Sequence, residues 1–318
     1  MAKRISIINF KGGVGKTTLA FHLATGLERF HDARVLLVDM DHQSSLSIVC
    51  MGAEQWANAA REKSTIDKVF QPFVSATTEL PGDEIITKSP VSERMYSNRK
   101  NLYPNLDLVP ASLDLDDTEI KLTASHRGDS IKSDWDKLTN ICRWIEETGI
   151  DDKYDYIIFD CPPATKIVAQ NAIAASHGYI VPVVPEAVMM RGAPHLYDMM
   201  QSGIDARLIK LANSIDASHR SIHVQHTRLI GLVVTRIQSA ASDSGYTNDH
   251  TAHLELLKRR WEENLLPPYI PQSTGLSQSL AFDLPVYDCT SNRNVKRHQF
   301  DKLFKKLTSE LKQRIDDA

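Results

Sequence analysis

The strongest constraint on the fold lies in residues 5–27. An apolar run, Ile5-Ser6-Ile7-Ile8, leads into Lys11-Gly12-Gly13-Val14-Gly15-Lys16-Thr17-Thr18, and helical apolar spacing continues through Leu27. Strand, glycine-rich turn and helix in that order form a phosphate loop. Gly12, Gly13 and Gly15 let successive backbone N–H groups turn inward around an anion, with Val14 and Thr18 completing the loop. Lys16 is spaced to reach β- and γ-phosphates, and the Thr17 hydroxyl to ligate Mg²⁺. The helix begins with its positive dipole end toward the phosphates. Lys11 is one lysine more than such a loop needs.

Further apolar runs end in residues able to carry chemistry. Arg34-Val35-Leu36-Leu37-Val38-Asp39-Met40-Asp41-His42-Gln43 reads as a buried strand ending in two carboxylates. Tyr154-Asp155-Tyr156-Ile157-Ile158-Phe159-Asp160 ends in one, suited to holding Mg²⁺ through water or to capping the next helix. Two more runs end in Pro185-Glu186 and Thr235-Arg236, and Ile270-Pro271-Gln272-Ser273, Leu276-Ser277-Gln278-Ser279 and Pro285-Val286 follow. Strands are expected at Arg4–Asn9, Arg34–Asp39, Leu106–Pro110, Tyr156–Asp160, Tyr179–Val184 and Arg228–Thr235, with helices between most of them. This alternation predicts an α/β fold: a doubly wound, mostly parallel sheet with helices on both faces. One domain is expected over 1–318, with insertions around 51–105 and 205–226 and a C-terminal helix near 295–316. Within the first insertion the reading is loop, including the polar stretch 92–101, around a short helix at Ile66–Phe73.

With Lys11 in place, the run from 11 to 18 resembles the deviant Walker A motif of the SIMIBI-class ParA/MinD family of partitioning and positioning ATPases. The runs ending in Asp39/Asp41, Asp160 and Pro185-Glu186, and the Ile270-to-Val286 segment, match the same family. The resemblance implies that Lys11 crosses a dimer interface to the phosphates held by the other subunit, so that ATP completes a homodimer. It implies that Asp41 orients the attacking water, that Asp39 supports the Mg²⁺ shell with Thr17 and Asp160, and that Lys16 serves its own subunit's phosphates. Pro185, Glu186, Thr235 and Arg236 fall among the family's nucleotide-binding positions, and its loops after the late strands wall the adenine and ribose. Where the family has proline this chain has His42. The implied function is that of a ParA-like ATPase using ATP and Mg²⁺, slow until stimulated by a centromere-binding or cargo-adaptor protein, which binds DNA nonspecifically as a dimer and segregates or positions DNA or a protein cargo. With the loop so near residue 1, no preceding helix-turn-helix is expected.

A formal charge of −3 excludes a generally cationic protein, so DNA contact would need a local patch. Candidates are Lys258, Arg259 and Arg260, and a tail with Arg293, Lys296, Arg297, Lys302, Lys305 and Lys306; a solvated helix face is the bland alternative for the first group. In the tail, Phe300, Leu303, Phe304, Leu307, Leu311 and Ile315 recur at helical spacing beside lysines. That pattern fits a helix docked on the sheet, the preferred reading, or a basic amphipathic helix on a bilayer, as in a MinD-like membrane-associated positioning ATPase. No run reaches the ~20 apolar residues of a membrane span, and a cytoplasmic, nucleoid-associated protein is expected. Cys50, Cys142, Cys161 and Cys289 lack metal-ligand spacing and read as reduced thiols.

Overall fold

The computed structural model describes residues 1–75, 79–93, 102–163, 166–217, 220, 222–241, 245–281, 283–289 and 299–318. Short runs of β-branched and aliphatic residues form seven strands: β1 Lys3–Ile7, β2 Val35–Asp39, β3 Leu106–Val109, β4 Tyr156–Asp160, β5 Gly178–Val183, β6 Arg228–Val234 and β7 Leu265–Leu266. They make one sheet in the order β3-β2-β4-β1-β5-β6-β7, and every pair is parallel. The sheet is thus parallel throughout.

Side chains alternate between two buried faces, which is why these strands read as continuous apolar runs. Ile5, Ile7, Leu37 and Ile158 share a cluster with Leu19, Phe21, Leu23 and Leu27 of α1 (Lys16–His31) and with the C-terminal helix Phe300–Asp316. Leu36, Val38, Ile157 and Phe159 face the other way, into a cluster with Phe70, Leu115, Trp135, Trp144 and Leu196. Helices therefore cover both faces. The chain moves from β1 outward to β2 and β3, returns to β4, then crosses β1 to reach β5. That reversal opens the crevice at the carboxyl edge of the sheet where ligands of such folds bind.

The tail's apolar stripe is docked. Phe300, Phe304, Leu307, Leu311 and Ile315 are all buried, and Gly26 of α1 permits the close approach, since a Cβ there would lie 2.5 Å from the Thr308 hydroxyl. His22 stacks on Phe304 with ring centroids 4.5 Å apart. Its Nδ1 donates to the Thr18 carbonyl (2.8 Å), and its Nε2 accepts the Val286 N–H (3.0 Å). A neutral imidazole in one tautomer meets both needs. Among the described residues, no helix is long and apolar enough to cross a membrane.

Several boundaries differ from the sequence reading. Region 51–105 holds more helix than expected: α2 runs Ser45–Arg61, besides the helix expected at Ile66–Phe73, which spans Asp67–Val74. The first was hidden because Gly52 sits at φ 82 and breaks its periodicity. Region 205–226 begins inside helix, since Met189–Asp198, a π segment Met199–Asp205 and Ala206–Ser214 are continuous. The π segment shifts the apolar period. β7 has two residues, too few for a periodic signal. Within the described residues the C-terminal helix spans Phe300–Asp316. Most of the polar stretch 92–101, and Arg293, Lys296 and Arg297, lie outside the described residues.

Burial lowers the His22 pKa to about 4 from 6.5. A depressed histidine pKa means that its stabilisation is complete above pH 6.5 and is lost as pH falls toward 4, because the unfolded chain takes the proton first. The wild-type chain is expected to lose about 1.4 kcal/mol per pH unit more than His22→Gln across that window, measured by urea unfolding at stepped pH.

Candidate functional site

Strand register builds the site. Asp160 at the end of β4 is level with Ile7 of β1 on one side and with Asp39 of β2 on the other. The phosphate loop leaves β1 beside them. Gly13 (φ 72) and Gly15 (φ 86) adopt left-handed backbone that favours glycine. Gly15 precedes α1 with no side-chain cap, so the first-turn N–H groups of that helix stay free for an anion.

Neighbouring strand ends clamp the loop. Thr235 Oγ1 donates to the Val14 carbonyl (2.7 Å), and Arg236 donates to the Gly13 carbonyl (2.6 Å). Asn9 donates through Nδ2 to the Pro182 carbonyl (2.8 Å) and accepts the Lys11 N–H on Oδ1 (3.0 Å). Lys11 Nζ ends 2.5 Å from Glu186 Oε2, and this hydrogen bond holds the Glu186 carboxyl below its usual range. Both side chains are about 40% exposed (38% and 42%). Such a pair contributes about 0–1 kcal/mol, so Lys11 is weakly held and easily released.

Beneath the loop the charges do not balance. Lys16 is buried, and burial lowers its pKa against the opposing pull of Asp160 and Asp41. Asp39 is fully buried, and burial raises it to about 6 despite hydrogen bonds from Ser47 and from the Asp41 N–H. Asp160 is raised well above the ordinary carboxylate range, by burial first and then by Asp39. Neither Asp160 oxygen has a hydrogen-bond partner, and the Thr17 hydroxyl and Lys16 ammonium lie near enough only to moderate the shift. Two buried carboxylates beside one ammonium, with two unpaired oxygens and a hydroxyl close by, make a hard-oxygen set that fits Mg²⁺. No cluster of three or more metal-ligating side chains exists among the described residues. Mg²⁺ characteristically takes one or two carboxylates and fills its shell with water and phosphate.

Above lies a cavity of about 620 Å³, large enough for a nucleotide. Gly12, Gly13, Gly15, Lys16, Thr17, Thr18, Asp41, Thr235 and Arg236 line it, as do Ile270, Pro271 and Leu276. Val14 is buried beneath it. Pro185 and Glu186, expected at the nucleotide, are not in its walls, because Glu186 turns to Lys11 instead. Val49, Gln43 and Leu280 also line it and were missed, since nothing about such residues signals a ligand before the chain is folded. His42 lies 3.8 Å from Asp41, whose carboxylate accepts the Gln43 N–H (3.0 Å). Lys258, Arg259 and Arg260 lie far along the chain in the last turn of helix Asn248–Trp261, where Lys258 pairs with Glu255 (2.7 Å).

The family model AAA_31, described as an AAA domain, matches residues 2–212. An uncharacterised protein of Mycobacterium tuberculosis is 31% identical over 197 residues, covering 62% of this chain and 51% of that protein. The chain thus spans about half the length of that relative. The chromosome partitioning protein ParA of Myxococcus xanthus is 25% identical over 294 residues, covering 90% of this chain and 82% of ParA. Among solved structures, an ATP complex of McdA from Cyanothece has the same fold, with a TM-score of 0.65 at 17% identity over 99% of this chain and 96% of that one.

Replacing Asp160 with Asn removes a buried carboxylate that faces another. In the nucleotide-free protein this change is expected to raise the melting temperature by about 2–5 °C, read by calorimetry, while weakening Mg²⁺-dependent ATP binding.

Proposed function

We propose a function from the premise that this chain belongs to the AAA_31 family of ParA-type partitioning ATPases: it binds and hydrolyses ATP, dimerises around the nucleotide, and in that state holds DNA nonspecifically to segregate or position a cargo. The observation that carries this reading is the pair of lysines on one loop. Lys16 lies buried beneath the cavity, whereas Lys11 points away from it onto a weakly held, half-exposed partner.

In the proposed mechanism the loop N–H groups between Gly12 and Thr18 and the Lys16 ammonium hold the phosphates. Thr235 and Arg236, bonded to the loop carbonyls, keep those N–H groups turned inward. Thr17 and Asp160, supported by Asp39, are the oxygen donors for Mg²⁺, which when bound neutralises charge on the β- and γ-phosphate oxygens. Asp41, on the cavity wall, orients the attacking water. Lys11 leaves Glu186 and enters the partner protomer's site, where it meets charge developing in the transition state. Ile270, Pro271 and Leu276 offer an apolar wall to the base.

DNA contact is assigned to phosphates, with Arg293, Lys296 and Arg297 as candidates and the Lys258–Arg260 group second, because Lys258 already has a carboxylate partner. A cytoplasmic, nucleoid-associated protein with a stimulating centromere-binding or adaptor partner completes the proposal. The MinD-like membrane reading loses its main support with the tail stripe buried against the sheet.

The test is DNA binding by fluorescence anisotropy with ADP and with ATP, at low and high salt. Wild-type chain with ATP is expected to bind and to release as salt rises. Asp41→Ala is expected to stay bound in ATP while turnover falls on the order of 100-fold. A chain indifferent to ATP, with no DNA affinity at low salt, would contradict the proposal.

A further inference from the structure

We propose that Ser47 is a positioning residue for hydrolysis: through Asp39 it fixes the placement of Asp41, and it joins both to the chain that leaves β3. The inference rests on reading the cavity as an ATP site. Ser47 lies in the first turn of α2 and is fully buried, as is Asp39. Its N–H donates to Asp39 Oδ2 at 2.9 Å, and its hydroxyl donates to the same oxygen at 2.7 Å. The Ala111 N–H then donates to Ser47 Oγ at 2.9 Å.

A serine hydroxyl has one proton to give and lone pairs to receive. Here the proton goes to Asp39 and a lone pair takes the Ala111 N–H, so the hydroxyl has one orientation. The other carboxylate oxygen, Asp39 Oδ1, accepts the Asp41 N–H at 3.1 Å. Asp39 is therefore a rigid joint: two donors from Ser47 fix one oxygen, and the other oxygen holds the backbone of the water-orienting residue. Asp160, one strand over, has no such bonds. The two buried carboxylates thus have separate tasks, Asp160 left open to a cation and Asp39 committed to holding the loop.

The far end of the relay is equally well anchored. Trp56 of α2 donates through Nε1 to the Ala111 carbonyl (2.9 Å), and Ile66 N–H donates to the Pro110 carbonyl (2.8 Å). Ser112 donates to Asp67 at 3.0 Å. The 110–112 link, which leads into the helix Asp114–Ala124, is tied down at each residue, and the Ser47 hydroxyl connects it to Asp39.

The test compares Ser47→Ala with Ser47→Thr, which keeps the hydroxyl, in the full chain. Ser47→Ala is expected to lower kcat about ten- to hundredfold with the ATP dissociation constant unchanged within about twofold. In the nucleotide-free protein, hydrogen exchange at the Asp41 and Ala111 amides is expected to quicken about tenfold or more. Ser47→Thr is expected to restore both. Should Ser47→Ala not fold, Ser47→Cys, with a weak donor of similar size, carries the same comparison. Unchanged kcat, or exchange at those two amides no faster than wild type, would overturn the assignment. The exchange readout needs no nucleotide, so a wild-type chain that fails to bind ATP would refute the site while leaving the Ser47 relay separately tested.

Discussion

Register in the parallel sheet sets everything else in this molecule. Because β4 pairs with β1 and β2 in register at their ends, Asp160 and Asp39 come to lie side by side under the loop that leaves β1. Burial raises both carboxyls, Asp39 adds to the rise at Asp160, and the neighbouring ammonium of Lys16 does not offset it. In a low-dielectric site this arrangement calls for a cation from outside. A neutral, well-paired core would avoid the cost in stability but would offer a cation nothing to bind.

The loop above that pair is held by its neighbours more than by itself. Thr235 and Arg236 capture its carbonyls from the end of β6, and Asn9 fixes its first turn against β5. With the carbonyls taken, the N–H groups face the cavity. Lys11 pairs with Glu186 in a half-exposed ion pair of little strength. A strong buried pair would have fixed Lys11 in place. A weak one leaves it free to take another partner, as the proposed function requires.

Much of this was legible in the chain because local and global signals agree at the strand ends. The glycine spacing, the apolar runs and their terminal acids each follow from short-range rules, and so Asp39, Asp41 and Asp160 could be named before the fold was known, whereas Thr235 and Arg236 were named through the family resemblance. What stayed hidden depends on long-range geometry. Ser47 carries no motif, and its role exists only because β3 brings Ala111 beside it. The pairing of Glu186 with Lys11 was likewise not legible, because sequence does not give the direction of a side chain. Helix in 45–61 and 205–214 was obscured where Gly52 and the π segment break the period on which the reading relied.

If the two lysines act in different subunits, as proposed, a mixing experiment separates their roles. Lys11→Ala and Lys16→Ala chains should each be inactive alone. Mixed with ATP, they can form a dimer in which the first chain holds nucleotide and the second supplies Lys11 to it. Recovery of ATP turnover in the mixture to a measurable fraction of wild type is the predicted result. A mixture as inactive as its components would show Lys11 working within its own subunit and would contradict the account.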